Sequence, residues 1–131
     1  MNENIKKIYL NIENIIYYLK NMIFKVNDNN LKNILKKQLF EVQKIKYLCL
    51  KNSKTLKENN IITCIKKDIY IDFILHNTND KKIICKLIKL YNDSLIQFSN
   101  KNKNNIIMNN YIDFLNKCIN DLENGNMDIN S

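Results

Sequence analysis

The side chains able to do covalent or metal chemistry are few and far apart. Histidine occurs once, at His76, and cysteine four times, at Cys49, Cys64, Cys85 and Cys118. A thiol nucleophile needs a base within hydrogen-bond reach. The pairings open to that chemistry are His76 with Cys85 or with Cys64, and no local motif supports either. No two cysteines form C-x-x-C, and their wide spacing suits neither a zinc module nor a disulfide scaffold. Cys49 and Cys118 fall on apolar strips, where a reduced cysteine packs as a small hydrophobe. That use of cysteine goes with a reducing, cytoplasmic setting. A glycine-rich phosphate loop is excluded, because Gly125 is the only glycine. The expectation is no catalytic residue, no cofactor-binding residue and no metal ligand.

Charge is the second chemical feature. The 131 residues carry a formal +8, and all 21 basic side chains are lysine. Clustered cations gain from counterion release on a polyanion, which raises nucleic acid or an anionic membrane surface as partners. Arginine, suited to bidentate phosphate and guanine contacts, is absent. The lysines also come in scattered pairs such as Lys6-Lys7, Lys36-Lys37, Lys66-Lys67 and Lys81-Lys82, as on a solvated helix surface. Alanine, proline and tryptophan are missing while asparagine occurs 26 times, the bias that A/T-rich coding would produce.

The elements that must position these residues are helices. Ile5, Ile8, Ile12, Ile15, Leu19, Met22 and Val26 repeat at gaps of three and four, so they share one face of a helix. Ile16, Ile23 and Phe24 lie beside that strip and widen it towards a bundle-core face. Asn27-Asp28-Asn29-Asn30 reads as a turn with N-caps. A second helix follows from Leu31 to about Leu50, with the strip Leu31, Leu35, either Leu39 or Gln38, Val42, Ile45 and Cys49. So short a connection predicts an antiparallel hairpin. Residues 61–76 keep helical spacing at Ile62, Ile65, Ile69 and Phe73, although Ile71, Phe73 and Leu75 alternate as a strand would. A lone strand has no partner elsewhere, so a helix is expected.

Thr78 or Asn79 can cap the next helix, Asp80 to Phe98, whose face is Ile84, Leu87, Tyr91, Leu95 and Phe98, with Ile83 and Ile88 beside it. The last helix, Ile106 to Glu123, buries Ile107, Tyr111, Phe114, Leu115, Cys118 and Leu122. Gly125 is placed to end it in a left-handed cap, leaving residues 126–131 as a loose tail. One domain over residues 1–125 accounts for the length. No secretory signal is visible. No stretch approaches the roughly 20 apolar residues of a membrane span.

The sequence of parts, with Ile8-Tyr9…Lys25-Val26-x-Asp28-x-x-Leu31-Lys32…Leu35-Lys36-x-Gln38 followed by a broken third helix and a fourth, resembles ferritin-like bundles. It is similar in particular to small rubrerythrin-related four-helix-bundle proteins of low-G+C bacteria. The resemblance implies an all-α, antiparallel up-down four-helix bundle made of five helical segments. It also implies a place to look for ligands, since ferritin-like di-metal sites take a Glu from each of two helices and two Glu-x-x-His motifs. Glu41 is followed at the required offset by Lys44 rather than histidine. Asp93 and Asp113 have no histidine at that offset either. Glu13 lies beside Ile12 and Ile16 and reads as a boundary carboxylate, in water or near a lysine.

The function expected is therefore that of a non-catalytic bundle acting through its surface, in a protein-interaction or structural role, with a homodimer as one form. Tyr17, Tyr18, Phe40, Tyr47 and Tyr70 are the flanking side chains that could meet a partner. A basic nucleic-acid-binding module is the alternative, and a degenerate ferritin-like metal protein the second.

Overall fold

The computed structural model describes residues 2–53, 79–98 and 105–130, with side chains over 5–53, 79–98 and 105–124. Those residues are all-helical, with four helices and no strand among them. They are α1 (Asn2–Lys25), α2 (Asn29–Lys51), α3 (Asp80–Phe98) and α4 (Ile106–Asn130). The expected helix over 61–76, and with it the broken third helix, lies outside the described residues.

Asparagine and aspartate start three of the helices. Asp28 Oδ1 accepts from Leu31 N at 2.8 Å, Asn79 Oδ1 from Lys82 N at 2.9 Å, and Asn105 Oδ1 from Met108 N at 3.1 Å. Each bond satisfies one of the backbone donors that a helix start leaves unpaired. Helix α4 does not stop near Glu123 as expected; its backbone runs through Gly125 to Asn130. A glycine inside a helix costs only about 1 kcal/mol against alanine, which weakens a helix without obliging it to end.

All seven strip residues of α1 are buried, and they join buried residues of α2, α3 and α4 in one core. Fully burying side chains of this size stabilises by about 1.5–3 kcal/mol each, measured against exposure. In α2 the core position left open goes to Gln38, with Leu39 half-buried. In α3 Ser94 is buried and Leu95 only partly so. Phe24, expected beside the α1 strip, is 84% exposed. Its place on the helical wheel faces away from Met22 and Val26, which are both buried at the same end.

Contacts along the chain fix the directions of the helices. Lys46 of α2 meets Glu13 of α1 across the hairpin, so α1 and α2 are antiparallel. Phe98 packs on Tyr111, and Tyr91 further back packs on Phe114, so α3 and α4 are antiparallel too. The start of α3 sits on the α1–α2 turn: Asp80 Oδ1 accepts from Asn27 N at 2.9 Å and Oδ2 from Asp28 N at 2.8 Å. From that shared end α2 and α3 run in the same direction on opposite sides of the core, and Tyr91 reaches across to Gln38 a similar distance along. They are parallel. The antiparallel up-down order expected of the bundle is thus corrected for the described helices, since Ser53 at the end of α2 and Asn79 at the start of α3 lie at opposite ends of the bundle.

Candidate functional site

All four helices meet in a polar layer at the middle of the core. Gln38 comes from α2, Tyr91 and Ser94 from α3, Tyr111 and Cys118 from α4, and Asn11 from α1. Tyr91 Oη donates to Gln38 Oε1 at 2.6 Å, and Gln38 Nε2 donates to the Cys118 carbonyl at 3.4 Å. Tyr111 Oη donates to Asn11 Oδ1. Ser94 Oγ donates back to the Leu90 carbonyl at 3.0 Å. Rings close the layer: Tyr91 meets Phe114 edge-on at 6.3 Å between centroids, and Tyr111 stacks on Phe114 at 6.2 Å. Buried polar groups are costly unless paired, and these side chains pair with one another or with backbone carbonyls of α3 and α4.

Titration of the layer is suppressed. Burial holds the Tyr91 hydroxyl well above the ordinary phenol range, with the adjoining Cys118 adding to the shift. Burial likewise raises Tyr111 and Cys118, each opposed in part by a hydrogen bond, from Ser94 and Tyr91 respectively. Cys49, deep in the core, is pushed up to about 11 by burial. The thiolate is the nucleophilic form of cysteine. These phenols and thiols keep their protons near neutral pH, so the layer offers hydrogen bonds and no base or nucleophile.

The carboxylates singled out in the sequence lie away from that layer. Glu13 is 2.7 Å from Lys46 Nζ at the α1–α2 seam, the lysine-paired boundary position expected for it. The pair lies under Tyr9, whose hydroxyl is raised first by burial and then by the Glu13 charge. Glu41 is 3.5 Å from Lys44 Nζ on the exposed side of α2. Asp113 and Lys117 face Glu41 and Lys44 across a shallow groove between α2 and α4, floored by Ile45 and Phe114. Asp93 borders a second groove, between α1 and α3, with Lys86, Lys89, Tyr18 and Met22. Among the described residues no three of His, Cys, Asp and Glu cluster as metal ligands.

Of the residues weighed as a nucleophile pair and set aside, Cys85 is exposed on α3, whereas His76 and Cys64 lie outside the described residues, as does Tyr70. Tyr17 and Tyr18 are half-buried and meet edge-on at 5.7 Å. Phe40 and Tyr47 stand out from α2, 59% and 64% exposed. Lys44 Nζ lies 4.4 Å from the Phe40 ring centroid, a cation–π contact. No helix among the described residues is long and apolar enough to cross a membrane.

Sequence reasoning missed the Gln38–Tyr91 pair and the role of Asp80. A glutamine at an apolar-strip position, and a tyrosine at the matching place on another strip, were the available signal for the first. For Asp80, an acidic first residue signals only a favourable helix start. The chain matches no protein-family model, no curated protein and no solved structure.

Proposed function

We propose that this protein is a non-catalytic helical bundle that acts by binding through its surface, in an interaction or structural role, on a protein partner or as a homodimer. The observation that carries the reading is the content of the core centre. Where a di-metal bundle would converge carboxylates, Tyr91 pairs with Gln38 and Tyr111 with Asn11. Exposed Phe24 and Ile106 give the surface apolar footholds for a partner. Size-exclusion chromatography with light scattering tests the self-associating form, and a clean 15.7 kDa monomer at high concentration removes it. Metal analysis of protein purified without chelators tests the non-catalytic centre. Two iron, manganese or zinc ions per chain would overturn it.

The parallel α2 and α3 support a ferritin-like architecture, in which one long crossover joins the two hairpins. Architecture of that kind does not fix activity. A nucleic-acid-binding role is kept as a second reading because α2 carries Lys32, Lys36, Lys37, Lys44, Lys46 and Lys51 against Glu41 alone. Duplex binding that persists near physiological salt would favour it; binding that vanishes there would exclude it.

A further inference from the structure

The outer face of α2 gathers charge and aromatic surface in one place. Lys36, Phe40, Lys44, Tyr47 and Lys51 follow one another at gaps of four, four, three and four, with Lys37 beside them, so they form one stripe along the helix. The stripe points away from the core face of Leu35, Gln38, Val42, Ile45 and Cys49, and at 1.5 Å per residue it is about 22 Å long. The two rings stand out into solvent between the lysines.

We propose that this stripe is a peripheral docking surface for anionic lipid headgroups. The inference goes beyond the reading above by assigning a lipid occupant to one face. Lysines are point charges on long apolar stems, which can lie along a membrane surface while the ammonium reaches a phosphate. Aromatic side chains favour the headgroup level, where the ring is covered and a polar edge stays wet. The geometry selects lipid over the other polyanions. The concavity between the two rings is lined by Phe40, Gln43, Lys44, Tyr47 and Leu48, all from α2, so among the described residues the rings stand on a ridge of one helix and not in a groove between two, which is what a partner's amphipathic helix needs. The chain has no arginine for bidentate phosphate or base contacts. A deformable anionic plane takes a convex ridge with two protruding rings without a matching hole.

The test is co-sedimentation of the full chain with vesicles of phosphatidylcholine alone or with about 30% phosphatidylserine, at about 0.1 M salt. Binding to the anionic vesicles is expected to exceed binding to the neutral ones by at least about tenfold, each lysine near the surface contributing roughly fivefold. Lys36→Glu with Lys51→Glu should abolish it. Phe40→Ser with Tyr47→Ser should weaken it by about tenfold at unchanged charge. Lys81→Glu with Lys82→Glu, the same charge change on α3, should leave most of it. All these positions are exposed, and far-UV circular dichroism checks that each variant keeps its helices. Three results would each overturn the proposal: equal binding to neutral vesicles, loss that tracks total charge wherever it is removed, or tighter binding to duplex DNA or an acidic helical peptide with no dependence on Phe40 and Tyr47.

Discussion

Replacing Asp80 with alanine removes both hydrogen bonds that fasten the start of α3 to the α1–α2 turn. The carboxylate takes one backbone donor on each oxygen, Asn27 N at 2.9 Å and Asp28 N at 2.8 Å. Bonds to an ionised acceptor contribute about 1.5–3 kcal/mol each. The Asn27 contact is exposed, so water replaces much of it, while the Asp28 contact is partly buried and loses more. Asp80 also lies in the first turn of α3, where a negative charge adds about 0.3–1 kcal/mol through the helix dipole. Together these put Asp80→Ala at about 3 kcal/mol. Asp80→Asn, which keeps one acceptor oxygen, should cost about half as much. In urea unfolding followed by circular dichroism, about 3 kcal/mol lowers the midpoint by roughly 1–2 M. An unfolding free energy for Asp80→Ala within about 0.5 kcal/mol of the wild type would refute the latch. Equal losses for Asn and Ala would show that hydrogen-bond geometry is not what matters.

Tyr91→Phe leaves Gln38 Oε1 buried without its donor and should destabilise by about 1–3 kcal/mol. Adding Gln38→Leu to it should recover most of that loss, and a double variant as weak as the sum of the singles would contradict the pairing. Stability should fall in alkali. An unfolded cysteine or tyrosine gives up its proton near its ordinary value of 9.0 or 10.0, whereas Cys49 and Tyr91 in the folded chain hold theirs to higher pH. Stability is therefore full below about pH 9 and drops above it, by about 1.4 kcal/mol per pH unit for each such group once its unfolded counterpart ionises. Urea midpoints that stay level from about pH 8 to about pH 10.5 would contradict that coupling. In a Cys64→Ser background a soluble thiol reagent should modify Cys85 quickly and leave Cys49 and Cys118 protected until denaturant is added. Rapid modification of all three would show that the core opens.

Periodicity was enough for the helices because a strip of large apolar residues has one physical use. Every strip residue named for α1 and α4 is buried. The misses occur where two spacings fit equally well. From Leu35 to Val42 the strip can pass through Gln38 or Leu39, and from Tyr91 to Phe98 through Ser94 or Leu95. Hydrophobicity favoured the leucine at the second place and left the first open. In the fold the polar residue takes the inward position both times, because a hydroxyl or carbonyl on another helix meets it, and that partner is remote in sequence. The direction of α3 was illegible for a related reason: it depends on Asp80 meeting a turn more than fifty residues earlier. The lysines read as scattered pairs along the chain, yet on α2 the winding of the helix brings residues three and four apart into one stripe.

The directions of the helices also shape the field around the molecule. Helix α1 opposes α2, α4 opposes α3, and α4 opposes α2, since Gln38 meets Cys118 while Lys44 and Ile45 face Asn110 and Asp113. Positive and negative helix ends therefore alternate at both ends of the array, and the backbone dipoles largely cancel. What survives at a distance comes from side chains: α2 is rich in lysine, whereas α4 carries Asp113, Asp121 and Glu123 against Lys117. The described helices thus form a small transverse electric dipole. At low ionic strength it would turn its α2 side towards any anionic partner before touching it, and encounter rates would fall as salt shortens the reach of that torque.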